Sequence, residues 1–373
     1  MKILFDHQIF NYQNFGGISR YFSEIIKGLK EKTSVEVDLQ LQYAHNEHLI
    51  ENKLNPTQPF LRNLKGGWRL QNLLVRLNKY LVNRKLAKGV DIFHPTYYDT
   101  YYLPYLGKAK LVLTVYDMIH EKGMFPSNLD TIVAETVENK KKLVKHASKI
   151  VAISESTKKD MVDFYGISPD KIDVIYLSAS LMPNKNYTPT ILIPKKYILF
   201  VGNRGSYKNF DLFFKSLIPL LKEDNTLSIV SAGSKPFTEK ELNHFKSVGL
   251  SEQVIHLSID DNLLAHLYKN AVCFVFPSLY EGFGIPTLEA FNCGCPVVLS
   301  NTSSMPEVGG DAVLYIDPHN QESIYSAVKQ VVESKELQLS LREKGFQQAQ
   351  KFSWGKCVED HYKLYENLTS TSQ

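Results

Sequence analysis

The amino-acid sequence predicts an α/β protein built from two domains with parallel sheets and a cleft between them. Short β-branched or aromatic runs alternate with amphipathic helical stretches along the chain. This alternation is typical of parallel sheets with crossover helices. It is interrupted once, by a polar stretch with prolines at residues 178–194, and then restarts. The length of 373 residues also suits two domains of roughly 150 residues or more.

We place the first domain at residues 1–180 and the second at residues 190–350. Six strands are predicted in the first, at 2–6, 35–41, 91–94, 110–116, 150–154 and 172–177. Six more are predicted in the second, at 197–202, 226–232, 254–258, 273–277, 296–300 and 312–316. Amphipathic helices are predicted at 18–29, 129–146 and 322–332. Ligands of such sheets bind beyond the carboxyl ends of the strands.

Composition excludes several classes of protein. A hydrophobic share of 43%, a charged share of 22% and a mean hydropathy of −0.21 exclude a disordered, collagen-like or disulfide-framework chain. The net charge of +4 is too balanced for a nucleic-acid coat protein, and no nucleic-acid partner is expected. The four cysteines lack C-x-x-C spacing, and the N-terminus lacks the features of a secretory signal. With no apolar run of about 18 residues, a cytoplasmic location is expected.

One stretch departs from the even charge balance. Residues 52–90 contain no Asp or Glu but nine basic residues: Lys53, Arg62, Lys65, Arg69, Arg76, Lys79, Arg84, Lys85 and Lys88. Apolar residues recur within it at helical spacing. The pattern fits an amphipathic helix on an anionic membrane, or a core-facing helix with a solvated basic face. A second basic cluster, at Lys140, Lys141, Lys142, Lys145 and Lys149, would support the membrane interpretation if it shared that face.

The segment from Phe276 to Gly294 contains the most informative pattern. A buried strand is followed by a loop with Glu281, then by Gly282, Phe283 and Gly284, and then by a helix whose first turn suits Pro286. Gly294 suits the end of that helix. The backbone N–H groups from Gly284 through Ile285 to Thr287 would lie at a helix N-terminus and bind a diphosphate. Glu289, in the first turn, would accept hydrogen bonds from a ribose diol, and Glu281 would face the sugar. As an alternative, Glu289 interacts only with the helix dipole.

In this segment the chain resembles the retaining glycosyltransferases of family 4, whose E-x7-E pattern is matched by Glu281 and Glu289. The resemblance extends to Gly16-Gly17-Ile-Ser-Arg-Tyr and to the run from Val201 to Asn209, and so covers nearly the whole chain. It implies the GT-B architecture, in which two Rossmann-like domains face each other across a cleft. The same resemblance implies an acceptor-binding first domain, a donor-binding second domain, and a C-terminal helix (354–373) that returns to the first domain. It also implies that Glu281 contacts the transferred sugar and Glu289 the ribose.

The resemblance further assigns a basic pair, Arg204 and Lys208, to the leaving diphosphate. Breaking the anomeric bond places negative charge on that group, and fixed cations lower the barrier. Asn203 occupies the position where many relatives have the arginine, which favours Lys208 over Arg204. A solvated loop is the alternative for both residues.

Two features of the first domain complete the predicted site. Gly16 and Gly17 precede a helix, a layout suited to close backbone approach to phosphate or acceptor. Asp117 and His120 follow the strand at 110–116 and are expected to face the cleft, with Asp117 orienting the acceptor. Many relatives have a histidine directly before this aspartate, whereas here the residue is Tyr116. His120 is the candidate substitute for it, with a purely structural role as the alternative.

The function predicted on these grounds is transfer of a hexose from a nucleoside diphosphate sugar, with mannose from GDP-mannose as the first choice. The acceptor would be a glycan or lipid-linked sugar in bacterial O-antigen or capsule synthesis. The resemblance implies retention of configuration, no enzymic nucleophile, and no cofactor or metal. UDP-hexose transfer and an inactive sugar-nucleotide-binding relative are the alternatives. The sequence has no H-E-x-x-H, G-x-S-x-G or Walker A segment, which argues against metalloprotease, hydrolase and P-loop classes.

Overall fold

The computed structural model describes residues 1–42, 44, 46–54, 68–124, 130–233 and 235–370. The chain divides into two compact units. The first comprises Met1–Gly123, Ser127–Leu177 and Trp354–Gln373, and the second comprises Met124–Pro126 and Ser178–Ser353. Within the described residues, each unit has a six-stranded sheet in which every strand pair is parallel. The predicted α/β class with two parallel sheets is confirmed.

In the first unit the strands are β1 (Lys2–Phe5), β2 (Glu36–Leu39), β3 (Ile92–His94), β4 (Lys110–Val115), β5 (Lys149–Ala152) and β6 (Ile172–Val174). Their spatial order is β2-β1-β3-β4-β5-β6. The helices are α1 (Gln8–Tyr12), α2 (Gly17–Lys30), α3 (Glu47–Glu51), α4 (Trp68–Lys88), α5 (Asp130–His146) and α6 (Glu155–Tyr165). The interior strands β1, β4 and β5 are mostly apolar runs because helices cover the sheet.

The second unit has strands β7 (Lys196–Val201), β8 (Leu227–Ala232), β9 (Val254–Leu257), β10 (Cys273–Phe276), β11 (Val297–Ser300) and β12 (Val313–Ile316). Their order is β12-β11-β10-β7-β8-β9. Its helices are α7 (Phe210–Glu223), α8 (Glu239–Ser247), α9 (Asp261–Asn270), α10 (Ile285–Asn292), α11 (Met305–Gly309), α12 (Gln321–Glu333) and α13 (Lys335–Ala349). Counted along this unit the order is 3-2-1-4-5-6, that of doubly wound dinucleotide-binding sheets.

The last helix, α14 (Trp354–Ser370), belongs to the first unit, where it packs on α2. Gly28 of α2 makes that packing close, because a Cβ atom at this position would lie 2.6 Å from Val358 Cγ2. Cys357, Val358, Leu364 and Tyr365 of α14 are buried. The C-terminal helix therefore completes the core of the first unit.

Buried polar groups also join α14 to α2 and the sheet. His361 Nδ1 lies 2.7 Å from the Cys357 carbonyl oxygen, which can only accept, so Nδ1 carries the proton. Burial lowers the pKa of His361 to about 4, so the ring is neutral and its Nε2 accepts. The Tyr21 hydroxyl donates to that Nε2 at 2.8 Å, and the Thr114 hydroxyl in turn donates to Tyr21 at 3.1 Å.

The same chain of bonds continues through His94. Its Nε2 donates to Thr114 Oγ1 at 2.8 Å, and its Nδ1 accepts from the Tyr365 hydroxyl at 2.6 Å. Burial, with a smaller effect from His361, lowers the pKa of His94 well below its ordinary value. Each proton in this network, which we call the histidine network, therefore has one donor and one acceptor when both rings are neutral.

The predicted basic stretch is only partly described. Residues 55–67 lie outside the described residues, and α4 covers the remainder up to Lys88. The second basic cluster does not meet the condition set for it, because not all of its lysines share a surface with α4. Lys140 is fully buried and bonds Glu121 at 3.0 Å, whereas Lys149 pairs with Asp173. No helix in the described part of the chain is long and apolar enough to cross a membrane.

Candidate active site

Two predicted site residues meet at the carboxyl edge of the second sheet. Lys208 follows β7 and Glu281 follows β10, and these strands are neighbours at the point where the strand order reverses. Such a switch point is where ligands of open α/β sheets bind. Lys208 Nζ donates to Glu281 Oε1 at 2.6 Å, and each side chain is 14% exposed. An ammonium has three N–H donors, so a lysine at this position can bond more than one acceptor.

Backbone bonds hold this pair in place. The Leu279 N–H donates to the Tyr207 carbonyl at 2.8 Å, which ties the Glu281 loop to the turn bearing Lys208. Asn209 Nδ2 donates to the carbonyls of Pro277 (3.1 Å) and Pro318 (2.6 Å). Asn209 has a left-handed φ of 60°, which asparagine tolerates better than most residues. Sequence reasoning missed Asn209, although its position directly after Lys208 was a signal that could have indicated it.

Two serines that follow β11 also hold the Glu281 loop in place through hydrogen bonds. The Glu281 N–H donates to Ser303 Oγ at 3.0 Å, and Ser304 Oγ donates to the Glu281 carbonyl at 2.9 Å. Both backbone groups of Glu281 are thereby satisfied by neighbouring hydroxyls. Sequence reasoning missed these serines too, because the bonds depend on two strands becoming neighbours.

The N-terminus of α10 differs in one respect from the expected anion site. Gly284 has a φ of 98° and precedes Ile285, and Pro286 lies in the first turn as predicted. The expected row of N–H groups is shorter, because proline has none and the Thr287 N–H donates to the Gly284 carbonyl at 2.9 Å. Among the described residues, the N–H groups of Gly284 and Ile285 have no assigned acceptor. These two groups can bind an anion.

Glu289 lies in the second turn of α10, not in the first as expected, since the helix begins at Ile285. Its side chain is half-buried, and the Tyr268 hydroxyl donates to Oε2 at 3.5 Å. Burial and the Glu289 carboxylate raise the pKa of Tyr268 well above its ordinary value. The phenol is therefore a permanent donor at neutral pH.

The other predicted donor-binding residues of this loop are enclosed to different degrees. Gly282 is half-buried, whereas Phe283 is 3% exposed and its ring packs edge-on against Phe352 at 5.8 Å. Phe283 therefore packs in the core of the unit. Thr287 is fully buried, and its Oγ1 has no hydrogen-bond partner among the described residues.

Arg204 bonds partners other than the Lys208–Glu281 pair. Its Nε donates to Glu241 Oε1 at 2.6 Å, and its guanidinium lies 4.6 Å from the ring centre of Phe237. Burial raises the pKa of Glu241, but the bonds from Arg204 and Thr238 outweigh it and leave that pKa lowered. Arg204 Nη1 is buried without a partner in the described part of the chain. A cavity of about 700 Å³ is lined by Asn203, Arg204, Lys235, Pro236, Thr238 and Glu241.

In the first unit, Gly16 and Gly17 lie at the start of α2. A Cβ atom on Gly16 would lie 2.5 Å from Gln13 Oε1. That oxygen accepts from the Ser19 N–H at 3.2 Å and so caps the helix. The space that Gly16 leaves is thus occupied by the Gln13 side chain, while Gly17 is exposed.

Asp117 lies beyond the carboxyl end of β4, and its Oδ1 accepts from the Ile119 N–H at 3.1 Å. Buried Lys140 donates to the Asp117 carbonyl at 3.0 Å as well as to Glu121. His120 lies in the turn between these groups. Burial, followed by Lys140, lowers the pKa of His120, so the ring is mostly neutral at pH 7. Tyr116 donates from its hydroxyl to the Thr96 carbonyl at 2.9 Å.

Two family models together match most of the chain. Residues 15–178 match the model described as Glycosyltransferase Family 4, and residues 189–348 match Glycosyl transferases group 1. The chain is a family 4 glycosyltransferase. The boundary between the two matches falls in the polar stretch where the two units meet in sequence. Across the residues that the structure describes, this glycosyltransferase has no cluster of three metal-ligating side chains.

Similar proteins include O-antigen chain mannosyltransferase B of Escherichia coli, 26% identical over 99% of this chain and 100% of that protein. An N-acetylgalactosaminyltransferase of Campylobacter jejuni, named for a diphospho-undecaprenol substrate, is 25% identical over 93% and 95%. The serotype-specific mannosyltransferase WbdA of E. coli is 28% identical over 63% of this chain, and the matched region spans 31% of the length of WbdA.

Solved structures show the same fold. Anabaena HepE in complex with UDP and glucose has a TM-score of 0.71 at 18% identity, over 98% of this chain and 100% of that one. WaaG, a lipopolysaccharide glycosyltransferase, has a TM-score of 0.67 at 15% identity, over 98% and 99%. The fold of the chain is therefore GT-B.

Proposed function

We propose that this glycosyltransferase moves mannose from GDP-mannose to a sugar hydroxyl of a glycan or lipid-linked acceptor during bacterial O-antigen or related surface polysaccharide synthesis. The convergence of Lys208, Glu281 and the α10 N-terminus at the switch point supports a nucleoside diphosphate sugar as donor. The end-to-end similarity to an O-antigen chain mannosyltransferase favours mannose. The second unit would bind the donor and the first unit the acceptor.

In this proposal each site residue has a separate role. Lys208 and the N–H groups of Gly284 and Ile285 stabilise the charge that develops on the departing diphosphate. Glu281 binds hydroxyls of the transferred sugar, and Glu289 binds the ribose diol. Arg204 holds the start of α8 through Glu241 and contributes its free Nη1 at the edge of the diphosphate.

The transfer itself would retain the anomeric configuration without an enzymic nucleophile. The bond between the anomeric carbon and the phosphate oxygen breaks as the acceptor oxygen bonds to that carbon, and the departing phosphate takes the proton of the acceptor hydroxyl. Asp117 orients the acceptor, and neutral His120 contacts the sugar in place of the histidine that many relatives have. The cationic side chains supply the charge for which a metal would otherwise be required.

A UDP-hexose donor is the second candidate. HepE, which has the same fold, was crystallised with UDP and glucose, and the C. jejuni relative is named for N-acetylgalactosamine transfer. An inactive sugar-nucleotide-binding protein is disfavoured because Lys208 and Glu281 are both present and paired.

A thermal-shift panel tests the donor. GDP-mannose should raise the melting temperature more than UDP-glucose, UDP-galactose, UDP-N-acetylglucosamine or dTDP-rhamnose. Glu289→Ala should abolish most of that shift because the ribose loses its acceptor. Glu239→Ala, at an exposed carboxylate in the first turn of α8, is the matched control and should respond as the wild type does. A shift that survives Glu289→Ala rules out the ribose assignment.

Stereochemistry and metal dependence need separate assays. NMR of the first product should show the one-bond C1–H1 coupling of the donor anomer, and an inverted product excludes retention. Activity should be unchanged by EDTA. A requirement for added Mg²⁺ or Mn²⁺ would contradict the role given to Lys208.

We also propose that α4 contacts an anionic membrane surface. Its outward side carries the exposed side chains of Leu73 (61%), Leu77 (41%) and Tyr80 (60%), and Arg76 and Arg84 lie on the same side. Apolar and basic residues together suit an anionic interface. The wild type should float with anionic vesicles, whereas an Arg76→Glu/Arg84→Glu variant should remain in the bottom fraction of the gradient. Equal recovery with neutral vesicles would exclude the electrostatic contribution.

A further inference from the structure

The first unit has a switch point of its own. In the order β2-β1-β3-β4-β5-β6, the direction reverses between β1 and β3. Beyond the carboxyl ends of these strands lie α1, which ends at Tyr12, and the segment that starts at Pro95 and contains Tyr97. Crevices at such points bind ligands in open α/β sheets. The predicted site residues include none from this crevice.

A buried carboxylate fixes the segment after β3. Asp6, fully buried at the end of β1, accepts from the Thr96 N–H at 2.8 Å and from Thr96 Oγ1 at 2.7 Å. It also accepts from Gln8 Nε2 at 2.6 Å and from the Tyr101 hydroxyl at 3.2 Å. Charge-assisted bonds of this kind are strong and directional. The backbone that presents Tyr97 is therefore held rigidly.

Two tyrosines present their rings at this crevice. Tyr12 is 65% exposed, an unusual exposure for a large aromatic side chain, and Tyr97 is half-buried. Their ring centres are 5.6 Å apart with an interplanar angle of 66°, so the rings form a corner. Tyr97 is further supported by Tyr98, with ring centres 4.8 Å apart. The corner is aromatic, preformed and accessible.

Carboxylates lie on the same edge of the sheet as this corner. Asp117 follows β4, the neighbour of the strand β3 that precedes Tyr97. Burial, followed by Asp117, raises the pKa of Tyr97 to about 12. Burial, then Asp99 and further carboxylates that include Glu135, raise the pKa of Tyr12. Both phenols are therefore protonated, and each can donate a hydrogen bond. Glu135, on α5, is exposed.

We propose that Tyr12 and Tyr97 form a stacking platform for a pyranose ring of the acceptor, with Asp117 binding a hydroxyl at its edge. A pyranose has C–H faces, which pack on aromatic rings, and a rim of hydroxyls, which carboxylates accept. The corner and the carboxylates match both features. The inference rests on the proposed function, because a glycosyl acceptor is itself a sugar, and it names Tyr12 and Tyr97 as specificity residues.

Binding of simple sugars tests the platform without any donor. Saturation-transfer NMR would be recorded on the full-length protein with the methyl glycosides of mannose, galactose and N-acetylglucosamine. We expect transfer to the ring protons of at least one glycoside, and a loss of about tenfold in affinity with Tyr12→Ala or Tyr97→Ala. Tyr12→Phe keeps the ring and should stay within about twofold of the wild type.

Tyr105→Ala is the matched control for these variants. Tyr105 is 49% exposed and precedes the amino end of β4, whereas Asp117 follows its carboxyl end. Affinity in this variant should be unchanged. Two results would overturn the platform: transfer to none of the three glycosides, or equal affinity in the wild type and both alanine variants.

A kinetic measurement separates this inference from the proposed function. Tyr12→Ala and Tyr97→Ala should raise KM for the acceptor glycoside about tenfold and leave KM for GDP-mannose and its acceptor-free hydrolysis unchanged. If the wild type releases no nucleoside diphosphate from any of the donors, the proposed function is wrong. The binding experiment would still test whether Tyr12 and Tyr97 bind a pyranose. If donor KM rises as much as acceptor KM, the tyrosines are structural and the platform is wrong.

Discussion

Lowering the pH from 7 to 5 should destabilise the first unit, because His361 of the histidine network must stay neutral. Its pKa is about 4 when folded and 6.5 for an ordinary histidine. Since the folded pKa is the lower one, the stabilisation is complete above pH 6.5 and is lost as the pH falls toward 4. The two values give a loss of about 2 kcal/mol between pH 7 and 5. His94, also neutral, adds to this loss.

Tryptophan fluorescence is a suitable probe, since both tryptophans, Trp68 and Trp354, belong to the first unit. A Trp68→Phe background leaves Trp354, at the start of α14, as the only reporter. Urea unfolding at pH 7, 6 and 5 would then give the free energy of unfolding of this unit. His361→Gln keeps an acceptor for Tyr21 and removes the titrating group, so its pH dependence should fall by about 2 kcal/mol.

His146→Gln, at an exposed histidine of the same unit, is the control, and its free energy of unfolding should be measured at the same three pH values as that of the wild type. At pH 7 the His361→Gln variant should itself be less stable by roughly 1 kcal/mol, because the bond to the Cys357 carbonyl is lost. If His361→Gln keeps the full pH dependence of the wild type, the neutral network is not its source.

Three further predictions concern stability. Gly284→Ala should lower the free energy of unfolding by about 1 kcal/mol, because φ at this position is 98°. Gly355→Ala in α14 should raise it, because a Cβ atom there meets nothing within 4 Å. The midpoints of urea unfolding measure both changes. Glu121→Gln should cost about 3 kcal/mol in urea unfolding by leaving buried Lys140 unpaired, and adding Lys140→Met should recover much of that loss. Glu241→Gln should cost about 1–3 kcal/mol in thermal unfolding through Arg204, while Glu239→Gln should cost nothing measurable.

The sequence was sufficient to predict the fold because continuous apolar runs and helical periodicity are local signals. All twelve predicted strands are present within the described residues, with ends shifted by a few residues. The helix start at Pro286 and the stop at Gly294 also follow from local backbone preferences, and Gly294 has a φ of 67°. The resemblance to family 4 is confirmed by the family models.

Other features depend on residues distant in sequence, and local patterns could not predict them. Lys140 looked like part of a surface cluster, but Glu121, 19 residues earlier, holds it in the core. Arg204 pairs with Glu241, 37 residues later. The histidine network joins α2, β3, β4 and α14, and helical periodicity alone gave no reason to expect buried polar groups on the last helix.

The position of α14 also has a consequence for biosynthesis. Residues 354–370 emerge from the ribosome after the whole of the second unit, yet they supply the partners of Tyr21 and His94 in the core of the first unit. Before then, those buried donors and acceptors lack their partners, at a cost of 1–3 kcal/mol each. The second unit, whose residues have all emerged by Ser353, can finish folding first. The unit translated first is therefore the last to reach its native state.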